Sequence, residues 1–385
     1  MNKKLMAVAV AGALAAPAVV FAQASTVQLY GTFNAEYGVQ VKQPAAGTPG
    51  FLAGANRDNA DGLGSGASNL GFKGEEKLGG GMSAWFQCES DVRFLSGSAR
   101  TSGSICDRNS AIGLKGGFGN VFVGTWDSPI KQASGKTRMV NETGWLGAQH
   151  MLLSGAVFSF SNRNSDSINY QSPKFGGATV NAQFTSTKAA MQIANNTSAA
   201  TQVDSTDAGK GREIGIGVDW TQGPITLAAA YAKQDENRAS AAASTKTSKD
   251  TAWLIGGTYT MGQFKGGLTY TDLKGDDGIG GDVKRKSWNV ALQYNLTGPG
   301  SILFGYTRAG EYKVAGGGGE NTGAKQWQIG YTHALSKRTS AGVSYVRLNN
   351  DSAGFYNLTP LNSSETSVKF GDSASAFVVS MKHAF

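Results

Sequence analysis

The sequence predicts an all-β chain closed into a 16-stranded antiparallel transmembrane β-barrel. Three observations lead there. Segments about ten residues long alternate apolar with small or polar side chains. The connections between them alternate short and long. The N-terminus is an export signal, and no run of about 18 apolar residues follows it. Glycine supplies 54 of 385 residues, well above the usual ~7%, while proline supplies only 8. With 18 Phe, 12 Tyr and 7 Trp, that composition suits short strands joined by tight turns and not a disordered chain.

In chain order the leader comes first. Asn2-Lys3-Lys4 is a short basic region, and Leu5 to Phe21 is apolar and Ala-rich. Val20-Phe21-Ala22 and Ala22-Gln23-Ala24 both fit small-residue cleavage sites. Residues 1–22 therefore read as a signal peptide, with cleavage after 24 as the alternative, and 23–385 as one barrel domain. Losing Lys3 and Lys4 lowers the formal charge from +8 to +6, so the mature chain stays basic.

The strands follow. Val27, Leu29, Phe33, Ala35 and Tyr37 interleave with Gln28, Tyr30, Thr32, Asn34 and Glu36. Ala178, Val180, Ala182 and Phe184 interleave with Thr179, Asn181, Gln183 and Thr185. Ile214 to Trp220, Trp288 to Leu296 and Trp327 to Tyr331 repeat the pattern. The polar set is too hydrophilic for a packed core and reads as facing water. The apolar set often ends in an aromatic, as a girdle at a membrane interface does. A soluble sandwich or propeller would need an apolar inner face without so many Gln, Asn and Thr.

Seven short connections carry turn residues, among them Gly79-Gly80-Gly81, Gln222-Gly223-Pro224 and Gly298-Pro299-Gly300. Eight long polar connections fall at 39–66, 94–107, 127–163, 188–211, 235–249, 273–285, 310–324 and 349–373. Short turns at one end and long loops at the other make sixteen strands around an aqueous lumen. The last strand, Phe377-Val378-Val379-Ser380-Met381-Lys382-His383-Ala384-Phe385, must pair with the first to remove both edges.

Several stretches resemble the general trimeric porins of Gram-negative bacteria, especially their β-proteobacterial branch. VQLYGTFNAEYGV at 27–39 looks like the family's first strand, and SNLGFKGEEKLGGGMSAWFQCE at 68–89 like its second hairpin. RNSAIGLKGGFGNVFVGTWDSP at 108–129 is similar to the run into its third loop, and RNSDSINYQSPKFGG at 163–177 to the strand after it. Phe385 resembles the terminal assembly signal read by the barrel-assembly machinery. The resemblance spans the mature chain. It implies a homotrimer in the outer membrane, in contact with lipid and lipopolysaccharide. Each barrel would pass small ions and solutes through a pore narrowed by an inward-folded third loop, with wall bases facing acids on that loop.

Arg108 and Arg163 match wall positions where the family keeps arginine, whereas Asn69 and Thr125 stand where relatives often carry it. The pore-lining bases are read as Lys73, Arg93, Arg108 and Arg163, with Glu89 as a pore-lining acid. The constriction loop is read as carrying Asp127, Lys131, Lys136, Arg138 and Glu142, so that 127–163 is net basic. Cations along a narrow path lower the energy of entering anions. Cys88 and Cys106 flank the 94–107 loop and read as a disulfide or as two buried thiols. Regular alternation places them on opposite faces, so a disulfide needs a bulge.

Other functions find little support. His150, His333 and His383 are far apart, and no Ser-His-acid, metal-ligand or nucleotide signature stands out. No cofactor, metal site, nucleic-acid partner or enzymatic activity is expected. The reading is an outer-membrane passive diffusion channel that prefers anions. The alternatives are a substrate-specific channel, for which no row of aromatics along the lumen is visible, and a structural or adhesive barrel without transport.

Overall fold

The structure, a computed structural model, describes residues 27–43, 60–64, 66–94, 105–141, 144–155, 158–188, 211–235, 249–276, 281–358 and 371–385. The leader at 1–22 and Glu142 lie outside the described residues. The strands are β1 (Gln28–Gln43), β2 (Ala60–Gly64), β3 (Asn69–Gly79), β4 (Met82–Asp91), β5 (Ser110–Gly116), β6 (Gly119–Asp127), β7 (Arg163–Gln171), β8 (Ala178–Lys188) and β9 (Gly211–Gln222). They continue as β10 (Ile225–Asp235), β11 (Lys249–Met261), β12 (Phe264–Asp276), β13 (Asp282–Asn295), β14 (Gly300–Ala309), β15 (Lys313–Val314), β16 (Ala324–Ala334), β17 (Thr339–Asn350) and β18 (Ser373–Ala384). Two helices, α1 (Pro129–Thr137) and α2 (Gln149–Leu153), lie between β6 and β7.

These 18 segments form one closed antiparallel sheet. They amount to sixteen barrel strands, because two of the strands are interrupted. β1 pairs with β3 from Gln28 to Thr32 and with β2 from Glu36 to Gln40, so β2 and β3 are halves of one strand. Ser68 bridges the break: its Oγ accepts from the Asn34 N–H at 2.8 Å and donates to the Asn34 carbonyl at 3.2 Å. A side chain thus replaces a lost ladder bond. β13 likewise pairs with β14 and then with β15, making those one strand. The loop expected at 39–66 is accordingly shorter, since β1 runs on to Gln43 and β2 begins at Ala60.

Closure runs along β1 and β18, paired from Thr32↔Ala384 to Gln43↔Ser373. Phe385 adds the last two bonds: the Gly31 N–H donates to its carbonyl at 3.4 Å and its N–H donates to the Gly31 carbonyl at 3.1 Å. Its ring stacks on Phe33, centroids 5.7 Å apart. Phe385 is therefore both paired and packed.

Alternation sorts the two faces. On β13, Val283, Arg285, Ser287, Asn289 and Ala291 are buried, while Trp288, Val290 and Leu292 are exposed. The outward set around the barrel includes Leu29, Val39, Phe86, Ile112, Val123, Ile168, Ile216, Leu268, Ile329 and Val379. A bilayer solvates that belt, and no helix is long and apolar enough to cross a membrane among the described residues.

One further constraint is the disulfide, Cys88–Cys106, with Cα atoms 4.7 Å apart. Cys88 sits on the outward parity of β4, beside the exposed Phe86. Cys106 precedes β5 and has φ 61. The alternation assumed from the sequence stops at Ser110, so residues 106–109 escape the parity conflict without a bulge. The Cys106 N–H donates to Ser90 Oγ at 2.9 Å and the Arg108 N–H to the Glu89 carbonyl at 2.9 Å, which hold this turn against β4.

The two faces have different tolerances. Leu292→Arg, between Trp288 and Tyr294 on the lipid side, should cost about 2–4 kcal/mol of barrel stability. Gln293→Arg, facing water, should cost little. Unfolding of the two variants in urea with lipid vesicles present measures both.

Candidate functional site

The site is built on the segment between β6 and β7, which folds into the lumen. Its base is closed where the Ser128 N–H donates to the Asn162 carbonyl at 3.1 Å. Proline at the first turn of α1 suits a helix start, since no N–H is lost there. α1 then lies on the inner wall of β9–β12, and α2 on β12–β14.

That wall is apolar, which the sequence reading did not anticipate. Ala228, Ala230 and Ala232 of β10, Ala252 and Leu254 of β11, and Leu273 of β12 are buried against Ile130, Ala133, Leu152, Leu153, Phe158 and Phe160 of the loop. Alanines at every second position of Leu227-Ala228-Ala229-Ala230-Tyr231-Ala232 leave room for a layer of loop side chains. At about 25 cal/mol per Å² of buried apolar surface, such a layer holds a loop without covalent ties.

The loop tip reaches β1. Glu36, 2% exposed, accepts from the Trp145 N–H at 3.1 Å and from Asn34 Nδ2 at 3.0 Å. Trp145 lies flat on Gly38, where an added Cβ would collide with the indole. Met139 similarly occupies the space beside Gly267. The loop thus lies against the wall from β9 to β14, packs Trp145, Leu146 and Met151 into a cluster with apolar side chains of β16–β18, and is pinned at its tip to β1, leaving the β3–β7 side of the lumen clear of it.

The sequence-predicted charges divide into clusters. Arg108 Nε donates to Glu89 Oε1 at 2.6 Å, and Tyr30 Oη donates to Glu89 Oε2 at 3.2 Å. Arg93 Nε donates to Asp91 Oδ2 at 3.1 Å. Lys73 Nζ sits over the Tyr30 ring, 5.1 Å from its centroid. Asp127 is met by Lys131 at 3.0 Å and by Arg163 at 3.1 Å, and Asn109 bridges Asp127 and Arg163. Lys136 Nζ reaches Asp219 of β9 at 2.6 Å.

Three expectations need correction. Asp127 is not a loop residue: it ends β6 and faces Arg163 at the start of β7, paired after a register shift between Gly124 and Trp126. Arg138 is not presented to the passage. It is 5% exposed and donates from Nη1 to Gln149 Oε1 at 2.5 Å, inside the loop's own packing. The lumen also has aromatics where none were expected: Trp85, Phe122 and Trp126 share the inward face of β4 and β6, with centroids 4.9–6.0 Å apart. Glycines and short runs between them hid that alignment, which only the register reveals.

At the loop tip, a cavity of about 410 Å³ is lined by polar residues including Asn34, Glu36, Gln328 and Lys382 and by Leu146 and Leu303. Behind the loop, Arg285 is 1% exposed and donates to Tyr312 Oη at 3.0 Å and Tyr356 Oη at 2.7 Å. His150 of α2 packs its ring 5.8 Å from Tyr356, with Nε2 sealed from water. Burial first, and then the Arg285 charge, pushes its imidazole down to about 4.

Two outcomes follow from this docking. Gly38→Val should displace Trp145 and loosen the loop tip, raising single-channel current noise without unfolding the barrel. His150 stays neutral beside Arg285, Tyr312 and Tyr356, so its contribution is present above its ordinary value of 6.5 and lost as pH falls toward 4. Current noise should rise over that window, and His150→Gln should flatten the dependence.

The comparisons agree with this architecture. The profile of the family described as Gram-negative porin matches residues 6–353. Outer membrane porin protein 32 of Delftia acidovorans is 29% identical over 100% of both chains. The solved structure of an anion-selective porin from Comamonas acidovorans superposes with TM-score 0.73 at 25% identity, over 94% of this chain and 100% of that one. A trimer form of in-vitro folded OmpT of Vibrio cholerae shares the fold at TM-score 0.65 and 15% identity, over 94% of this chain and 100% of that one. The barrel fold is thus shared with porins of known structure, and this outer-membrane chain belongs to the Gram-negative porin family.

Proposed function

We propose that this porin is a passive diffusion channel that prefers anions. One observation carries the preference: apart from Glu36, which the Trp145 N–H and Asn34 hold, each carboxylate named along the passage is matched or outnumbered by bases. Glu75 is held by Lys77 and Lys115, and Asp127 by Lys131 and Arg163. Glu89, Asp91 and Asp219 are each paired with a base, and Lys73 and Lys382 have no carboxylate partner in the described structure. The potential left over is positive, and it acts in a narrow path with low-dielectric walls. The relative described as an anion-selective porin supports the same sign.

The assembly is read as a homotrimer, one passage per copy, as the trimer form of the Vibrio relative suggests. Phe385 serves as an insertion signal that is read before its backbone is taken up by Gly31. A second, narrower reading rests on the Trp85–Phe122–Trp126 cluster: flat organic anions would stack there beside the bases and pass preferentially.

Single channels of the refolded protein in a KCl gradient test the main reading. The reversal potential should lie toward chloride, with three closing steps per unit. Arg163→Ala together with Lys131→Gln leaves Asp127 unpaired and should shift that potential toward potassium. A wild-type reversal toward potassium would remove the anion preference, and no conductance would remove the channel.

A further inference from the structure

Behind the docked loop lies a charge that the passage does not use. Arg285 of β13 points inward and is 1% exposed. Val283, its neighbour on the same face, and Tyr312, its hydrogen-bond partner, belong to an apolar cluster with Leu152, Leu153 and Phe158 of the loop. The loop backbone comes down on the guanidinium at Gly155, where an added Cβ would collide with Arg285 Nη1 and Tyr312 Oη. The charge is thus enclosed between loop and wall.

Its hydrogen bonds leave most of it unmatched. Nη1 donates to both Tyr312 Oη and Tyr356 Oη, and Cζ lies 5.4 and 6.0 Å from the two ring centroids. Nε and Nη2 are sealed from water and have no partner, and Arg285 makes no ion pair within the described structure. Tyr356 stands in the segment after β17, and burial pushes its hydroxyl well above its ordinary value. A Tyr356 phenolate therefore does not supply the missing negative charge. Both tyrosine oxygens already accept from the guanidinium, and the two hydroxyls can satisfy only one of their protons on each other. Ser287 Oγ, two residues along the same face, is buried without a partner. So is His150 Nε2, whose ring packs 5.8 Å from that of Tyr356. The cluster holds one full positive charge and a surplus of N–H and O–H donors, with no carboxylate among them. Water would meet the donors and leave the charge, whereas an anion meets both.

We propose that Arg285, with Ser287 and the hydroxyls of Tyr312 and Tyr356, binds one small inorganic anion of the halide class behind the loop. A halide carries one charge, as the guanidinium does, and accepts from several donors without a preferred geometry. An organic carboxylate would need room for its carbon chain where Gly155 admits no side-chain carbon. The ion is structural and not in transit. It joins β13 to the segments that carry Tyr312 and Tyr356, beneath the α2 residue His150. The site is closed off from the passage, so it stands or falls separately from the channel's preference for anions.

Crystals of the refolded protein grown in sodium bromide, with data collected at the bromine edge, would locate such an ion directly. An anomalous peak within hydrogen-bonding distance of Arg285 Nε or Nη2 is expected. A water in its place, or no density, overturns the proposal. Thermal unfolding in detergent reads the same site in solution. At equal ionic strength, replacing sodium gluconate by sodium chloride should raise the wild-type midpoint by about 2–4 °C and level off as a single site fills. Arg285→Met should lose that rise. In gluconate it should be at least as stable as the wild type, because an unmatched buried charge has gone. Lys382→Gln, which removes a base open to the passage, should keep the rise. Equal wild-type midpoints in the two salts, or an unchanged rise in Arg285→Met, overturn the proposal. Should Arg285→Met not refold, the bromide map decides alone.

Discussion

The hydrogen bonds between β1 and β18 are the contact on which everything else in this molecule depends. A bilayer offers no partner for an exposed N–H or C=O, so an open edge would cost several kcal/mol per group. Once the seam from Thr32↔Ala384 to Gln43↔Ser373 is made, every strand has two neighbours. The outward side chains are then free to be chosen for lipid alone and the inward ones for water and for the loop. Ser68 shows how strict the requirement is: where the strand opposite β1 breaks, a hydroxyl supplies both missing bonds.

Inside that frame, a second layer of packing makes a channel out of a tube. Sixteen strands enclose more space than a selective passage needs. The alanines of β10 and the apolar side chains of β11 and β12 take the loop onto one half of the wall. Polar and charged side chains keep the other half. On the proposed reading, selectivity is set by a few ion pairs in which two bases share one acid, as at Asp127 and Glu75. Such pairs leave a residual field without leaving a buried charge unmatched.

Period-two alternation, turn glycines and the terminal aromatic made the strand number and the lipid-facing set readable from the chain, because each depends on neighbours in sequence. The docked half of the wall was not readable. Ala228, Ala230 and Ala232 look like weak strand residues until a loop more than sixty residues away is laid on them. The same holds for Glu36 and Trp145, which meet across 109 positions. Arg138 was misjudged because a charge on a loop is ordinarily solvated, and here Gln149 draws it inward. The Cys88–Cys106 parity conflict arose from extending β5 four residues too far, to a position where φ is 61.

The pinning of Trp145 to Gly38 also has a consequence for biogenesis. The loop's binding surface is made of strands synthesised after it, from β9 to β18, and its tip needs β1. It cannot settle until those strands stand side by side, since non-local contacts form only after the intervening chain is ordered. The barrel is therefore widest while it is being inserted and narrows last. Slow docking of the loop would show as transient permeability to solutes that the channel with its loop in place excludes.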